Sequence, residues 1–203
     1  IAVTSGYFFI NLFNDYRMSN GLMPSILIFE IDRYIPFIEF AVLPYISWYF
    51  YVAFTIIYLL FSKNSKDYFR FMYSMIAGAL ISYVIFVLYP THVPRPDIYG
   101  NDIFTRLTLA IYNADAPYNC FPSMHVLYAF FCFMFLNKKF AGKVFLLFIN
   151  SVLFVVICLS TVFTKQHYTP DILGSIIIGF LIYYFPYIAR RVRRHSPVTS
   201  RRK

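Results

Sequence analysis

A chain of 203 residues that is 60% hydrophobic, 22% aromatic and only 13% charged has too few polar side chains to cover a soluble globule. It is also too rich in aromatic and branched residues to stay unfolded, so an all-α, polytopic membrane helical bundle is the expected class. The formal charge of +9 does not point to nucleic acid, because seven of the eighteen Lys and Arg residues fall in positions 190–203, beside a final apolar run, where they fit a basic cytoplasmic tail.

In chain order, the first apolar run covers 1–13. It is too short to cross a membrane alone, and since the chain begins without methionine it reads as the outer end of a clipped span. Residues 14–35 follow, with Asn20-Gly21 and Pro24 as turn signals and an apolar stretch at 26–31 that predicts a short interfacial helix. Apolar stretches at 37–61, 68–89, 123–136, 144–163 and 172–188 predict five more spans, giving six transmembrane helices. The connection 90–122 carries Asp97, Asp102 and Asp115 among turn formers such as Gly100 and Asn113, which favours turns over a metal site. Cys132 and Cys158 fall inside apolar runs and Cys120 stands by itself in a polar loop, so neither a disulfide nor a thiolate metal site is predicted. The tyrosines and phenylalanines read as interfacial belts and lipid-facing packing. The chain divides into one transmembrane domain, 1–189, and the tail, 190–203.

Thirteen of the eighteen basic residues lie on one side of these spans: Lys63, Lys66 and Arg70, then Lys138, Lys139 and Lys143, then the seven of the tail. Arg17, Arg33, Arg95, Arg106 and Lys165 fall on the other. The positive-inside rule therefore puts both termini in the cytoplasm and 90–122 outside, a parity that six spans satisfy.

His125 and His167 stand at the outer mouths of different spans. Pro122-Ser123-Met124-His125 opens one, Ser160 and His167-Tyr168-Thr169-Pro170-Asp171 bracket the last outer turn, and Arg95-Pro96 occupies the remaining outer loop. Thr169 before Pro170 predicts an N-cap followed by proline at the first helical position, with Asp171 in the first turn. A carboxylate four residues from an imidazole can accept its ring N–H and leave the other nitrogen as a nucleophile. Pro122-Ser123 predicts a helix start whose free N–H groups attract an anion, and His125 in its first turn is suited to protonating a leaving oxygen. Arg95 supplies a donor fork for phosphate. A transporter would instead place polar groups near mid-membrane in broken helices.

Pro122-Ser123-x-His125, and Ser160 followed by His167-x-x-x-Asp171, resemble the second and third motifs of the type 2 phosphatidic acid phosphatase superfamily. Arg95-Pro96 resembles the end of its first. The resemblance implies a metal-independent, cofactor-free enzyme in which His167 forms a phosphohistidine, Asp171 orients it, His125 acts as general acid, and Arg95, Ser123 and Ser160 bind phosphate. Leu88, Thr161 and Met124 stand where the family has lysine, arginine and commonly glycine, so two phosphate cations are missing. Lys165 is the leading substitute, with His92 and Arg106 as others. The run Thr164-Lys165-Gln166-His167-Tyr168, with Cys120-Phe121-Pro122-Ser123, looks most like the inositolphosphotransferase-like branch. The implied function is a cell-membrane lipid phosphatase that removes phosphate from a lipid phosphate or diphosphate at the extracytoplasmic face. The alternative is a head-group phosphotransferase with a hydroxyl acceptor. Its partners would be the bilayer and a lipid phosphate, and phosphatidic acid, a polyprenyl diphosphate, phosphatidylglycerol phosphate and a sphingolipid-type substrate all fit.

Overall fold

The computed structural model describes residues 2–195, and the side chains of 6–188. The side chains of the basic tail lie outside the described residues. Among the described residues there are seven α-helices: α1 (Ala2–Ser19), α2 (Val42–Leu60), α3 (Ser65–Leu88), α4 (Ile103–Ala114), α5 (Met124–Lys139), α6 (Val144–Phe163) and α7 (Thr169–His195). Two short 3-10 turns, Glu30–Arg33 and Glu39–Ala41, precede α2. Among the described residues there is no strand, only isolated bridges between Ser25 and Thr91 and between His92 and Tyr118.

The bundle is built around α5, which packs on α2, α3, α6 and α7. Val126, Leu127, Ala129, Phe131 and Cys132 are completely buried, because this helix is apolar on every face. Its neighbours present one apolar face inward and leave residues such as Phe50, Phe148 and Phe185 exposed, as lipid contact requires. Gly179 lets α7 approach closely, since a Cβ there would stand 2.5 Å from the Phe130 ring. Among the described residues, four helical segments are long and apolar enough to cross a membrane: Glu39–Leu60, Ser65–Leu88, Val144–Phe163 and Thr169–Ile188. α5 has 16 residues and therefore spans about 24 Å, short of a hydrocarbon core of about 30 Å.

Three local expectations are corrected. The stretch 26–31 forms no interfacial helix; it runs irregularly into the turn Glu30–Arg33. Just before it, Ser25 has both backbone groups bonded across to Pro90 and His92, at 3.0 and 2.9 Å, which ties this segment to the outer loop and draws it away from helical pairing. α1 continues to Ser19, beyond the apolar run, because Asn14 is buried and donates to the Phe86 carbonyl and to Asn119. The connection 90–122 contains α4, whose N-terminus Asp102 caps by accepting from the N–H groups of Phe104 and Thr105 at 2.8 and 3.2 Å.

At one end of the bundle Lys138 and Lys139 pair with buried Asp67, and Arg70 donates to the Tyr187 hydroxyl. α5 starts at the opposite end, with Ser123 and His125, where α6 finishes and α7 begins.

Candidate active site

The turn after α6 fixes the first half of the site. Gln166 N–H donates to the Thr161 carbonyl at 3.0 Å and Lys165 N–H to that of Val162 at 3.1 Å, the paired bonds of a Schellman closure. Lys165 takes the left-handed position, with φ of +52°, where a non-glycine residue costs roughly 1–2 kcal/mol. A third bond, from His167 N–H to Thr161 at 3.1 Å, suspends the imidazole over the end of α6.

α7 begins at Thr169, one residue before the predicted start, and Thr169 does not cap it. Its N–H and hydroxyl instead donate to Asp32, at 2.8 and 2.6 Å, from the turn Glu30–Arg33. Asp171 is thereby held in the first turn, where one carboxylate oxygen accepts the Tyr168 N–H at 3.0 Å and lies 3.3 Å from Nδ1 of His167. Both side chains are buried. With Nδ1–H facing the carboxylate, Nε2 of His167 carries the lone pair.

Ser123 caps α5, its Oγ accepting from Val126 N–H at 3.3 Å. The N–H groups of Met124 and His125 precede the first intrahelical bond and can face an anion. Ser175 joins the two helix starts by donating to the Ser123 and Asp171 carbonyls at 2.8 and 2.6 Å. Gly174 is required beside it, because a Cβ would press into the Phe121 ring. The His125 ring lies 5.8 Å from that of His167, 4.7 Å from Trp48, and pairs through Nε2 with the Tyr45 hydroxyl at 2.9 Å.

These groups share a cavity of about 570 Å³ walled by α1 to α5 and the turn after α6. His125, His167, Gln166, Asn119 and Asp115 supply its polar positions, among aromatic side chains such as Tyr7, Tyr45 and Trp48. None of its lining residues among those described is Lys or Arg. Burial pushes the Asp115 carboxyl above its ordinary range, although Tyr7 donates to it at 2.8 Å.

The other predicted phosphate ligands are placed differently. Arg95 stacks on Tyr112 and donates to the Tyr112 and Asp115 carbonyls and to Gln166 Oε1, standing directly behind Gln166. The Ser160 hydroxyl donates to the Ile157 carbonyl within α6, and Lys165 Nζ donates to the Ile35 carbonyl at 2.6 Å. Arg106 bonds Asn101, and His92 is held through its backbone to Ser25. Neither Ser160, Lys165, His92 nor Arg106 is on the cavity wall. Sequence reasoning missed Asp32, Tyr45 and Ser175, and read Asp115 only as a turn residue. Asp32 carried a local signal of the same kind, as an acidic residue in a short turn.

A buried imidazole–carboxylate pair facing a second imidazole, at the mouth of a bundle of apolar helices, defines a class of membrane-embedded site. The chain matches the PAP2 superfamily over residues 27–185 and belongs to it. Membership supports a phosphoric ester hydrolase set in a membrane. No curated protein and no solved structure matches the chain.

Proposed function

We propose that this protein removes phosphate from a lipid phosphate or diphosphate at the extracytoplasmic membrane surface, through a phosphohistidine on His167. The observation that carries this reading is the 3.3 Å contact between His167 Nδ1 and Asp171, on a cavity wall shared with His125. Nε2 of His167 attacks phosphorus and the bond to the leaving alkoxide or phosphate breaks. His125 gives the leaving oxygen a proton, assisted by Tyr45, and then takes one from the water that cleaves the P–N bond. The free N–H groups at the start of α5, capped by Ser123, stabilise the charge gathered on the phosphoryl oxygens. The basic cluster at the far end of α5 supports an outward-facing site.

A second reading has its own support. A cavity with no Lys or Arg on its wall among the described residues, and with Asp115 on it, suits a monoanionic phosphodiester better than a dianionic monoester. In that case a lipid or polyol hydroxyl replaces water as acceptor, as the likeness to the inositolphosphotransferase-like branch implies. Purified protein incubated with radiolabelled lipid phosphates and phosphodiesters separates the two. Release of free phosphate supports hydrolysis, reappearance of label in another lipid supports transfer, and turnover undiminished in His167→Ala overturns both. For the face, a cysteine at Asn101 should react with an impermeant thiol reagent in intact cells, and one at Lys143 should not, once Cys120 has been replaced.

A further inference from the structure

We infer that the side-chain amide of Gln166 is a phosphoryl-oxygen ligand, a neutral donor locked toward the cavity by Arg95. The inference rests on the reading of His167 as the phosphoryl-accepting residue, and extends it to a neighbour whose own chemistry is separate.

Three observations carry it. Gln166 is only 4% exposed and lines the cavity beside His167. Its Oε1 accepts from an Arg95 Nη at 2.9 Å, and because a guanidinium can only donate, the atom facing it must be the oxygen. The amide nitrogen is therefore turned the other way, and among the described residues it is a buried donor with no hydrogen-bond partner. Buried donors are nearly always satisfied, so one fixed at a cavity wall next to a nucleophilic nitrogen marks a place where an acceptor belongs.

The orientation is fixed at both ends. The Gln166 backbone is held by the bond to Thr161 in the turn after α6, and Arg95 is itself clamped by two carbonyls and the Tyr112 ring. The amide cannot flip without placing its NH₂ against the guanidinium. Arg95 thus acts as a positioning residue, while Gln166 touches the phosphoryl group. A neutral donor held this way aids an anion of low charge without requiring a cation on the wall, where Asp115 already supplies a carboxylate.

The test uses the full-length protein in detergent. Trp48 is the only tryptophan in the chain and lies 4.7 Å from the His125 ring, so its fluorescence reports inorganic phosphate binding without turnover. Gln166→Leu should weaken phosphate binding by about 10-fold or more, the value of a hydrogen bond to a charged group. Gln166→Glu should weaken it further, because the carboxylate keeps the Arg95 bond yet turns an oxygen toward the anion. If Gln166 is not a ligand, phosphate affinity in Gln166→Leu stays at the wild-type value, which overturns the proposal. Should the Leu variant not fold, Gln166→Met, neutral, of similar length and likewise without a donor, takes its place. Failure of the parent reading looks different: His167→Ala then retains turnover, whatever the phosphate titrations of the Gln166 variants give.

Discussion

Asp32 and Thr169 are 137 residues apart, yet the Asp32 carboxylate accepts both the backbone N–H and the hydroxyl of Thr169, at 2.8 and 2.6 Å. The first turn of α7, which carries Asp171, is capped by a residue from the turn Glu30–Arg33, ahead of α2 in the chain. Asp32→Ala should therefore cost about 1 to 2 kcal/mol of stability, the value of a lost helix cap. It should also lower kcat more than it raises KM, because the His167–Asp171 pair loses its fixed base. Asp32→Asn, which can still accept one bond, should recover part of both. Thermal unfolding and steady-state kinetics check this; unchanged kcat in Asp32→Ala would confine Asp32 to a structural role.

His125 and Tyr45 form the second test. His125→Ala should reduce turnover by about 10²- to 10⁴-fold, the usual contribution of a general acid. The loss should shrink on substrates with good leaving groups, which need no proton. Tyr45→Phe removes the partner of Nε2 and should cost up to about 10-fold, with the same dependence on leaving group. Equal losses on good and poor leaving groups would argue that the pair only shapes the cavity.

Lys165 is spent on the Ile35 carbonyl and does not reach the cavity wall. Lys165→Met should lower stability by about 1 kcal/mol while leaving vanadate inhibition nearly unchanged. Lys165→Gly, which also loses that bond, should be the more stable of the two, because glycine takes φ of +52° without strain. A loss of vanadate affinity of about 10-fold or more in Lys165→Met would return the ammonium to the phosphate site.

Asp115 gives a pH dependence with a definite sign. Burial raises its folded carboxyl above the ordinary value, so the proton is held more tightly in the folded protein than in the unfolded one. Its favourable contribution is complete below the unfolded range, near about pH 4, and disappears as pH rises through the folded value. Asp115→Asn, which can still accept from Tyr7, should accordingly melt higher than wild type at neutral pH, with the gap closing under acid. A gap that widens under acid would mean the carboxylate is stabilised in place.

What could be read from sequence and what could not divide along the range of the contacts. His167 and Asp171 were legible because four residues on a helix start decide their meeting, and Ser123 because a cap acts within three. α4 had a readable start in Asp102 followed by Ile103, Phe104, Leu107 and Ile111, but lay among acidic residues and turn formers that looked like loop. Tyr45 sits in an apolar span, where its hydroxyl had no visible partner until α2 was laid against α5. Lys165 was offered by spacing as a substitute phosphate cation, whereas its direction is set by the left-handed turn and by the Ile35 carbonyl, neither of which spacing reveals.

The cavity wall has two origins. His125, His167 and Gln166 stand on the helix starts and the turn that the superfamily match covers, whereas Tyr7 belongs to α1, outside residues 27–185. α4 and the residues just after it line the same cavity. On the proposed function, exchanging α1 between relatives should change which phosphate ester is accepted while leaving the His167–Asp171 pair in place, as turnover on a panel of lipid phosphates would show.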